Sequence, residues 1–274
     1  MKVTFWGVRG SIACPGKKFT TYGGNTSCVE VDVGGHTVVF DAGTGLRLLG
    51  KSLHRRGIHK ATLLFSHTHW DHICGFPFFQ QAYDPRATLQ VYGGHLADGG
   101  GIRSALAGQM IAPNFPVPID IMRASLMFHD FRAGDSFELA RGVRVKTSPL
   151  HHPNGSTAYR IEHAGASVCY VTDTEHVPGK PDERILALIE GADLVIYDST
   201  YTDTEFPKRV GWGHSTWQEG VRLCKAARAK KLAIFHHDPD HEDAFMTKIA
   251  AVAKKAWPGA FVAKEGATID VKKR

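Results

Sequence analysis

The chain is poor in cysteine: five stand in 274 residues, Cys14, Cys28, Cys74, Cys169 and Cys224. They are odd in number and form no CxxC pair, so reduced thiols are expected and a disulfide framework is not. No apolar run comes near the ~20 residues that span a bilayer, so no membrane partner is expected. The start, Met1-Lys2-Val3-Thr4-Phe5-Trp6, has neither the apolar core nor the cleavage site of a signal peptide. A cytoplasmic protein is the expectation. No Lys/Arg run is long enough for a dedicated nucleic-acid arm; the formal charge of +6 is a mild bias towards anionic substrates. Linkers, repeats and low-complexity segments are missing too, so residues 1–274 read as one domain. A hydrophobic share of 43% is ample for a sizeable core.

What the chain has in excess is histidine, 16 residues, nine of them in four places: His67, His69 and His72; His151 and His152; His214; and His236, His237 and His241. The densest place, Ser66-His67-Thr68-His69-Trp70-Asp71-His72, follows an apolar run, 61–65, that reads as a buried strand. Three imidazoles and a carboxylate within six residues cannot be buried bare, because each unpaired polar group in an apolar setting costs several kcal/mol. A metal ion is the natural partner. Nitrogen and oxygen donors together suit zinc, with manganese or iron as alternatives. His67 and His69 alternate, so on an extended segment they leave one face and can grip one ion. Asp71 and His72 follow as the chain turns and point to a second position. The pattern therefore reads as two adjacent divalent-metal sites. A solvated loop with chance histidines fits poorly between two apolar runs. Cys74 stands beside this loop, where packing is its default role and ligation the alternative.

The expected strands are 2–5, 28–33, 37–40, 61–65, 136–139, 143–147, 158–162, 167–172, 194–197 and 232–235, with Gly34-Gly35 as a tight hairpin. Helices are expected from Leu46 to Gly57, near 102–110, from Pro181 to Gly191, over 216–229 and over 241–255. The helix at 216 opens with one of two capping boxes, Ser215-x-x-Gln218 or Thr216-x-x-Glu219. The glycine- and proline-broken stretch 88–130 reads as irregular cover for the site, with Met110 and Phe115 packing in it. Strands followed by a helix, given twice, suggest two sheets face to face with helices outside and the site at one edge.

Metal-type residues recur at strand ends. The strand near 147 leads to His151-His152, of which one need ligate. The strand at 167–172 ends at Asp173, whose carboxylate could bridge two cations, and the strand at 232–235 ends at His236.

His67-x-His69-x-Asp71-His72, a later His, a lone Asp and a final His resemble the metallo-β-lactamase superfamily, and Asp41 in Asp-Ala-Gly-Thr-Gly matches its structural aspartate. The resemblance is nearest to the branch holding RNase Z and the bacterial cyclic phosphodiesterases. His152-Pro-Asn-Gly-Ser-Thr-Ala-Tyr159 favours His152 over His151, Gly213-His214-Ser215-Thr216 matches the branch's Gly-His-Ser-Thr, and Phe235-His236 its last ligand. The resemblance implies an α/β fold: a four-layer αββα sandwich, two mixed sheets flanked by helices. It implies one metal on His67, His69, His152 and Asp173 and another on Asp71, His72, Asp173 and His236. Relatives in this branch form dimers, so it also implies a homodimer.

Two cations ~3.5–4 Å apart lower the pKa of a shared water and neutralise phosphodiester oxygens. The departing alkoxide needs a proton. The catalytic candidates are Asp71, within the metal motif, and His214, as proton donor or phosphate clamp. The helix start after His214 also favours an anion. Asn25, Thr26, His214 and Ser215 are the candidate substrate contacts, with a plain Gly-rich turn an equal reading of 22–26. Glu175 and His176 are candidates to support the ligands from behind. The arm with which RNase Z holds tRNA has no counterpart between the motifs, which favours a small phosphodiester, a cyclic nucleotide first, over RNA. Rival readings are an RNase Z-like endoribonuclease, a thioester or lactone hydrolase, which the Gly-His-Ser-Thr segment disfavours, and a non-catalytic binding module, which the intact ligand set disfavours. A di-iron oxidoreductase would carry a carboxylate at His69.

Overall fold

The computed structural model describes residues 1–96 and 99–272. Seven strands form the first sheet: β1 (Lys2–Gly7), β2 (Cys28–Val33), β3 (His36–Phe40), β4 (Lys60–Phe65), β5 (Thr88–Gly93), β6 (Ser125–Asp130) and β14 (Thr268–Asp270), in the order β14-β1-β2-β3-β4-β5-β6. Seven more form the second: β7 (Ser136–Ala140), β8 (Val143–Leu150), β9 (Ser156–His163), β10 (Ala166–Val171), β11 (Leu194–Asp198), β12 (Leu232–Phe235) and β13 (Ala260–Val262), in the order β13-β12-β11-β10-β9-β8-β7. The β2–β3 hairpin turns at Gly34 and Gly35, both at positive φ (58° and 83°), a conformation that glycine adopts without strain.

Both sheets are mixed. β3 to β6 run parallel, as do β10 to β13. The central parallel strands are apolar on both faces and wholly buried, as Leu63, Leu64 and Phe65 are. Between the sheets lies an aromatic-rich core of Phe5, Phe40, Tyr159, Tyr170 and Phe235, in which Phe40 stacks on Tyr170 at 4.7 Å. Outside the first sheet pack α1 (Gly45–Arg55), the one-turn α2 (Trp70–Ile73) and α3 (Gly101–Gly108). Outside the second pack α4 (Glu183–Ile189), α5 (Trp217–Ala226) and α6 (Asp243–Ala256). This is the four-layer αββα sandwich implied above. Among the described residues, no helix is long and apolar enough to cross a membrane.

Several expectations are corrected. The stretch 88–130 contains two strands, β5 and β6. Thr88-Leu-Gln-Val-Tyr alternates buried and half-buried side chains, a strand pattern that the following glycines obscured. Short β13 and β14 carry too few residues to be read from pattern. At α4, Asp182 is the cap, accepting from the Arg184 and Ile185 amides at 2.8 and 3.3 Å; Pro181 therefore precedes the cap. At α5, the Thr216 hydroxyl accepts from the Glu219 amide at 3.1 Å, so Thr216 is the cap. Met110 is buried beside Ile102 and Leu106, as expected of packing.

Two tyrosine hydroxyls tie strands across the sandwich. Tyr170 donates to the Asp41 carboxylate at 2.8 Å and Tyr159 to the Phe65 carbonyl at 2.6 Å. Hydrogen bonds to charged groups contribute ~1.5–3 kcal/mol and neutral ones ~0.5–1.5. Tyr170→Phe is therefore expected to lose about 2 kcal/mol in urea denaturation and Tyr159→Phe less. The reverse order would contradict this assignment.

Candidate metal centre

The carboxyl ends of β4, β10, β11 and β12 meet at one edge of the sandwich. Each delivers a polar side chain: His67, Asp173, Asp198 and His236. Asp41 follows β3, and His152 lies two residues past β8. Asp41, Asp173 and His236 take left-handed backbone conformations (φ 57°, 56° and 61°). Non-glycine residues there cost about 1–3 kcal/mol each and persist only where the surroundings impose them. At each of these strand ends the chain turns sharply enough to leave the side chain in the cluster.

The donors fall into two lobes. His67, His69 and His152 bring their ligand atoms within 4.8 Å of one another, and so do Asp71, His72 and His236. Asp173 stands between the lobes. One of its oxygens is 3.8 Å from both His67 Nε2 and His152 Nε2 and 3.4 Å from His236 Nε2; the other is 3.3 Å from His72 Nε2. Asp71 Oδ2 lies 3.2 Å from His72 Nε2 and 3.3 Å from His236 Nε2. These are the seven residues proposed from the sequence, and the structure brings all of them together.

The set fits a pair of divalent cations. His67 Nε2 is buried with no hydrogen-bond partner, and His72 Nε2 and His236 Nε2 face each other at 3.3 Å. Four of the imidazoles have their other nitrogen engaged: His67 Nδ1 on the Ser66 hydroxyl (3.1 Å), His72 Nδ1 on Asp41 (2.7 Å), His152 Nδ1 on the Gly213 carbonyl (2.7 Å) and His236 Nδ1 on the Thr200 hydroxyl (3.0 Å). That arrangement turns each Nε2 towards the cluster and orients the ring from behind. His69 presents Nδ1, 3.1 Å from His152 Nε2.

Electrostatics agree with a cation site. Burial holds His67, His69 and His152 below the usual imidazole range, in the neutral form that ligates. Burial also pushes the Asp71 and Asp173 carboxyls up, but the surrounding imidazoles outweigh it and keep both ionised.

His214 lies beside the ligands, its ring 5.0 Å from that of His236 and its side chain 12% exposed. Its Nδ1 meets Asp198 Oδ2 at 3.0 Å. Burial lowers the His214 pKa, but Asp198, Asp173 and Asp71 outweigh it and raise it to about 9. Asp198 was missed in the sequence, although it ends a correctly expected strand. It is wholly buried and also accepts from the Thr174 and Thr200 amides and the Thr200 hydroxyl. Gly10 and Ser11 were missed as well. A Cβ at Gly10 would stand 2.3 Å from the His236 ring, and the Ser11 amide donates to Asp71 at 2.7 Å.

Three expected substrate contacts are spent on the fold instead. The Asn25 side chain donates to Glu265 at 2.6 Å, Thr26 exchanges hydrogen bonds with Thr44 (2.9 Å each), and the buried Ser215 hydroxyl lies between His176 Nδ1 and the Tyr197 hydroxyl (2.8 and 2.9 Å). His151 is exposed and outside the cluster. Burial raises the Cys74 thiol pKa, and Cys74 joins no donor group among the described residues. Glu175 acts from behind: its carboxylate accepts from the Gly211 and Gly213 amides (2.8 Å each at the closer oxygen), holding the loop whose carbonyl orients His152. His176 stacks on Phe206 at 4.1 Å.

Because Asp41 fixes His72, Asp41→Asn is expected to weaken metal retention ~10–100-fold, measured by competition with a chromophoric chelator. Wild-type retention would refute the orienting role.

Residues 36–237 match the family described as Beta-lactamase superfamily domain. Ribonuclease Z of Natronomonas pharaonis is 27% identical over 99% of this chain and 98% of its own, and that of Pyrococcus furiosus 24% identical over 88% and 89%. Among solved structures, human tRNase Z, short form (ELAC1), superposes with a TM-score of 0.71 at 21% identity, covering 100% of both chains. Zn(2+)-bound PqqB from Methylobacterium extorquens gives 0.73 at 16% identity, covering 98% of this chain and 100% of its own. The chain belongs to the beta-lactamase superfamily domain family, in the ribonuclease Z-like branch of the metallo-β-lactamase superfamily, and its relatives there are metal-dependent hydrolases.

Proposed function

We propose that residues 1–274 act as one di-metal phosphodiesterase domain on a small substrate, with a cyclic nucleotide the first choice and zinc the first metal. The observation that carries this reading is the pairing of two donor lobes across Asp173 with His214, bound to Asp198, beside them. His67, His69, His152 and Asp173 would hold one cation, and Asp71, His72, Asp173 and His236 the other. When bound, the pair supplies charge for the phosphate oxygens and acidifies water.

The chain's own residues do the rest. Asp198 keeps His214 protonated and fixes its Nδ1, which leaves Nε2 free to give a proton to the leaving oxygen. Asp71, anchored by the Ser11 amide, keeps a negative charge beside His72 and His236. Glu175 holds the loop before His214 rigid. A thiolate leaves without a donated proton, so a thioester ranks lower.

An RNase Z-like endoribonuclease is the second reading, favoured by the names of the curated relatives. Against it, the long connections 94–124 and 199–231 carry helices packed on the body, with no projecting arm among the described residues. The cytoplasm and a homodimer belong to the proposal on resemblance alone.

The test is turnover of bis-p-nitrophenyl phosphate, 3′,5′-cyclic nucleotides and a precursor tRNA by protein loaded with Zn²⁺ or Mn²⁺. Cleavage of the first two, abolished by chelation, is expected; no turnover of any phosphodiester by metal-replete protein rejects the proposal. His214→Ala is expected to lower kcat ~10²–10⁴-fold with metal content kept. Asp198→Asn removes the charge that raises the His214 pKa, so the alkaline limb of kcat should move to lower pH. An unmoved limb would remove Asp198 from the proton path.

A further inference from the structure

We infer that Trp70 and Trp212 form a stacking bracket for the nucleobase of the substrate, one on each side of the mouth of the metal centre. The inference rests on the phosphodiesterase reading above and names what that substrate carries.

Single exposed apolar residues are ordinary on a protein surface. These two are not scattered. Trp70 is 82% exposed and sits inside the metal motif, directly after His69; Trp212 is 59% exposed and sits directly before Gly213. His152 joins their neighbours. Its Nε2 is 3.1 Å from His69 Nδ1, and its Nδ1 donates to the Gly213 carbonyl at 2.7 Å. The two tryptophans are therefore chain neighbours of the two residues that flank one imidazole.

The open side lies at the two ends of a row of three imidazoles. His69 is half-buried and the His214 side chain is 12% exposed, while the His152 ring between them is 2% exposed. The rings of these three follow one another at 4.9 and 5.3 Å. A phosphate that reaches the donors past His69 or His214 brings what it carries towards the stretches that hold Trp70 and Trp212.

The Trp212 side is built to hold a flat, anionic partner. Arg209 Cζ stands 4.8 Å from the centre of the Trp212 ring, which is 59% exposed, and puts a cation next to it. The backbone is pinned on both sides of Trp212, because Glu175 accepts from the Gly211 and the Gly213 amides. An indole held this way loses little freedom when a base stacks on it. Aromatic platforms with an adjacent cation suit nucleotides, and each base stack contributes through its π face whatever the base. A protein partner would gain from the apolar rings but has no use for the cation and the clamp.

The test compares two diesters with one leaving group, thymidine 5′-(p-nitrophenyl phosphate) and methyl p-nitrophenyl phosphate, on the metal-loaded protein. Wild type should prefer the nucleoside diester. Trp70→Ala and Trp212→Ala should each lower the ratio of the two kcat/KM values roughly 5- to 100-fold, mainly through KM, and Trp→Phe at either position should restore most of it. In parallel, adenosine 5′-monophosphate should quench the tryptophan fluorescence of wild type and not that of the double alanine variant. An unchanged ratio in both alanine variants overturns the bracket, and so does a change of oligomeric state on gel filtration with the ratio intact. If neither diester is turned over, the phosphodiesterase reading fails by itself. The quenching titration then decides the bracket: loss in the double variant upholds it, and persistence overturns it.

Discussion

One buried carboxylate joins most of what matters here. Asp41 has no exposure, and four donors converge on it: the amide and hydroxyl of Ser66, Nδ1 of His72 and the hydroxyl of Tyr170. Those donors come from the end of β4, the metal loop and a strand of the opposite sheet. An ionised group so far from water is tolerated only when its lone pairs are all met. Here meeting them fixes the spacing of the two sheets and the direction of His72 in one arrangement. The Ser66 hydroxyl passes the constraint on, since it also receives His67 Nδ1.

The cluster itself is costly without cations. Asp71 and Asp173 are buried among imidazoles whose ring nitrogens approach within 3.1 to 3.3 Å of one another. Three strand-end residues, Asp41, Asp173 and His236, hold left-handed backbones. Features that oppose stability locally are expected where function requires them, with the surrounding packing offsetting the cost. The double-sided apolar strands and the aromatic layer between the sheets supply that packing.

The metal ligands were legible because their chemistry is local. Three imidazoles and a carboxylate in six residues advertise a cation whatever the fold, and the rule that strand ends carry ligands found Asp173 and His236. The same rule applied to β11 leads to Asp198, yet its partner His214 lies at the start of another helix and nothing in the spacing pairs them. Asn25, Thr26 and Ser215 have partners within the fold for the complementary reason. Polar residues near a site serve the backbone as readily as a ligand, and the Asn25 partner, Glu265, is 240 residues away. β5 was hidden by the glycines after it, and left-handed backbone at Asp41, Asp173 and His236 falls on residue types that favour it without any pattern that fixes the position.

The uneven burial of the cluster also sets the direction of approach. Asp71, His72 and His236 are buried beside Gly10, Ser11 and the core, whereas His69 is half-buried and the His214 side chain is 12% exposed. The proposed approach of a substrate is therefore past His69 and His214. On the proposed function, a diester entering there would meet His214, held by Asp198, before its phosphate reached the Asp173 lobe junction. Attraction of the anion and protonation of its leaving oxygen would then fall to the same side chain. Asp198, a buried aspartate behind His214, would in that way govern which bond the site breaks.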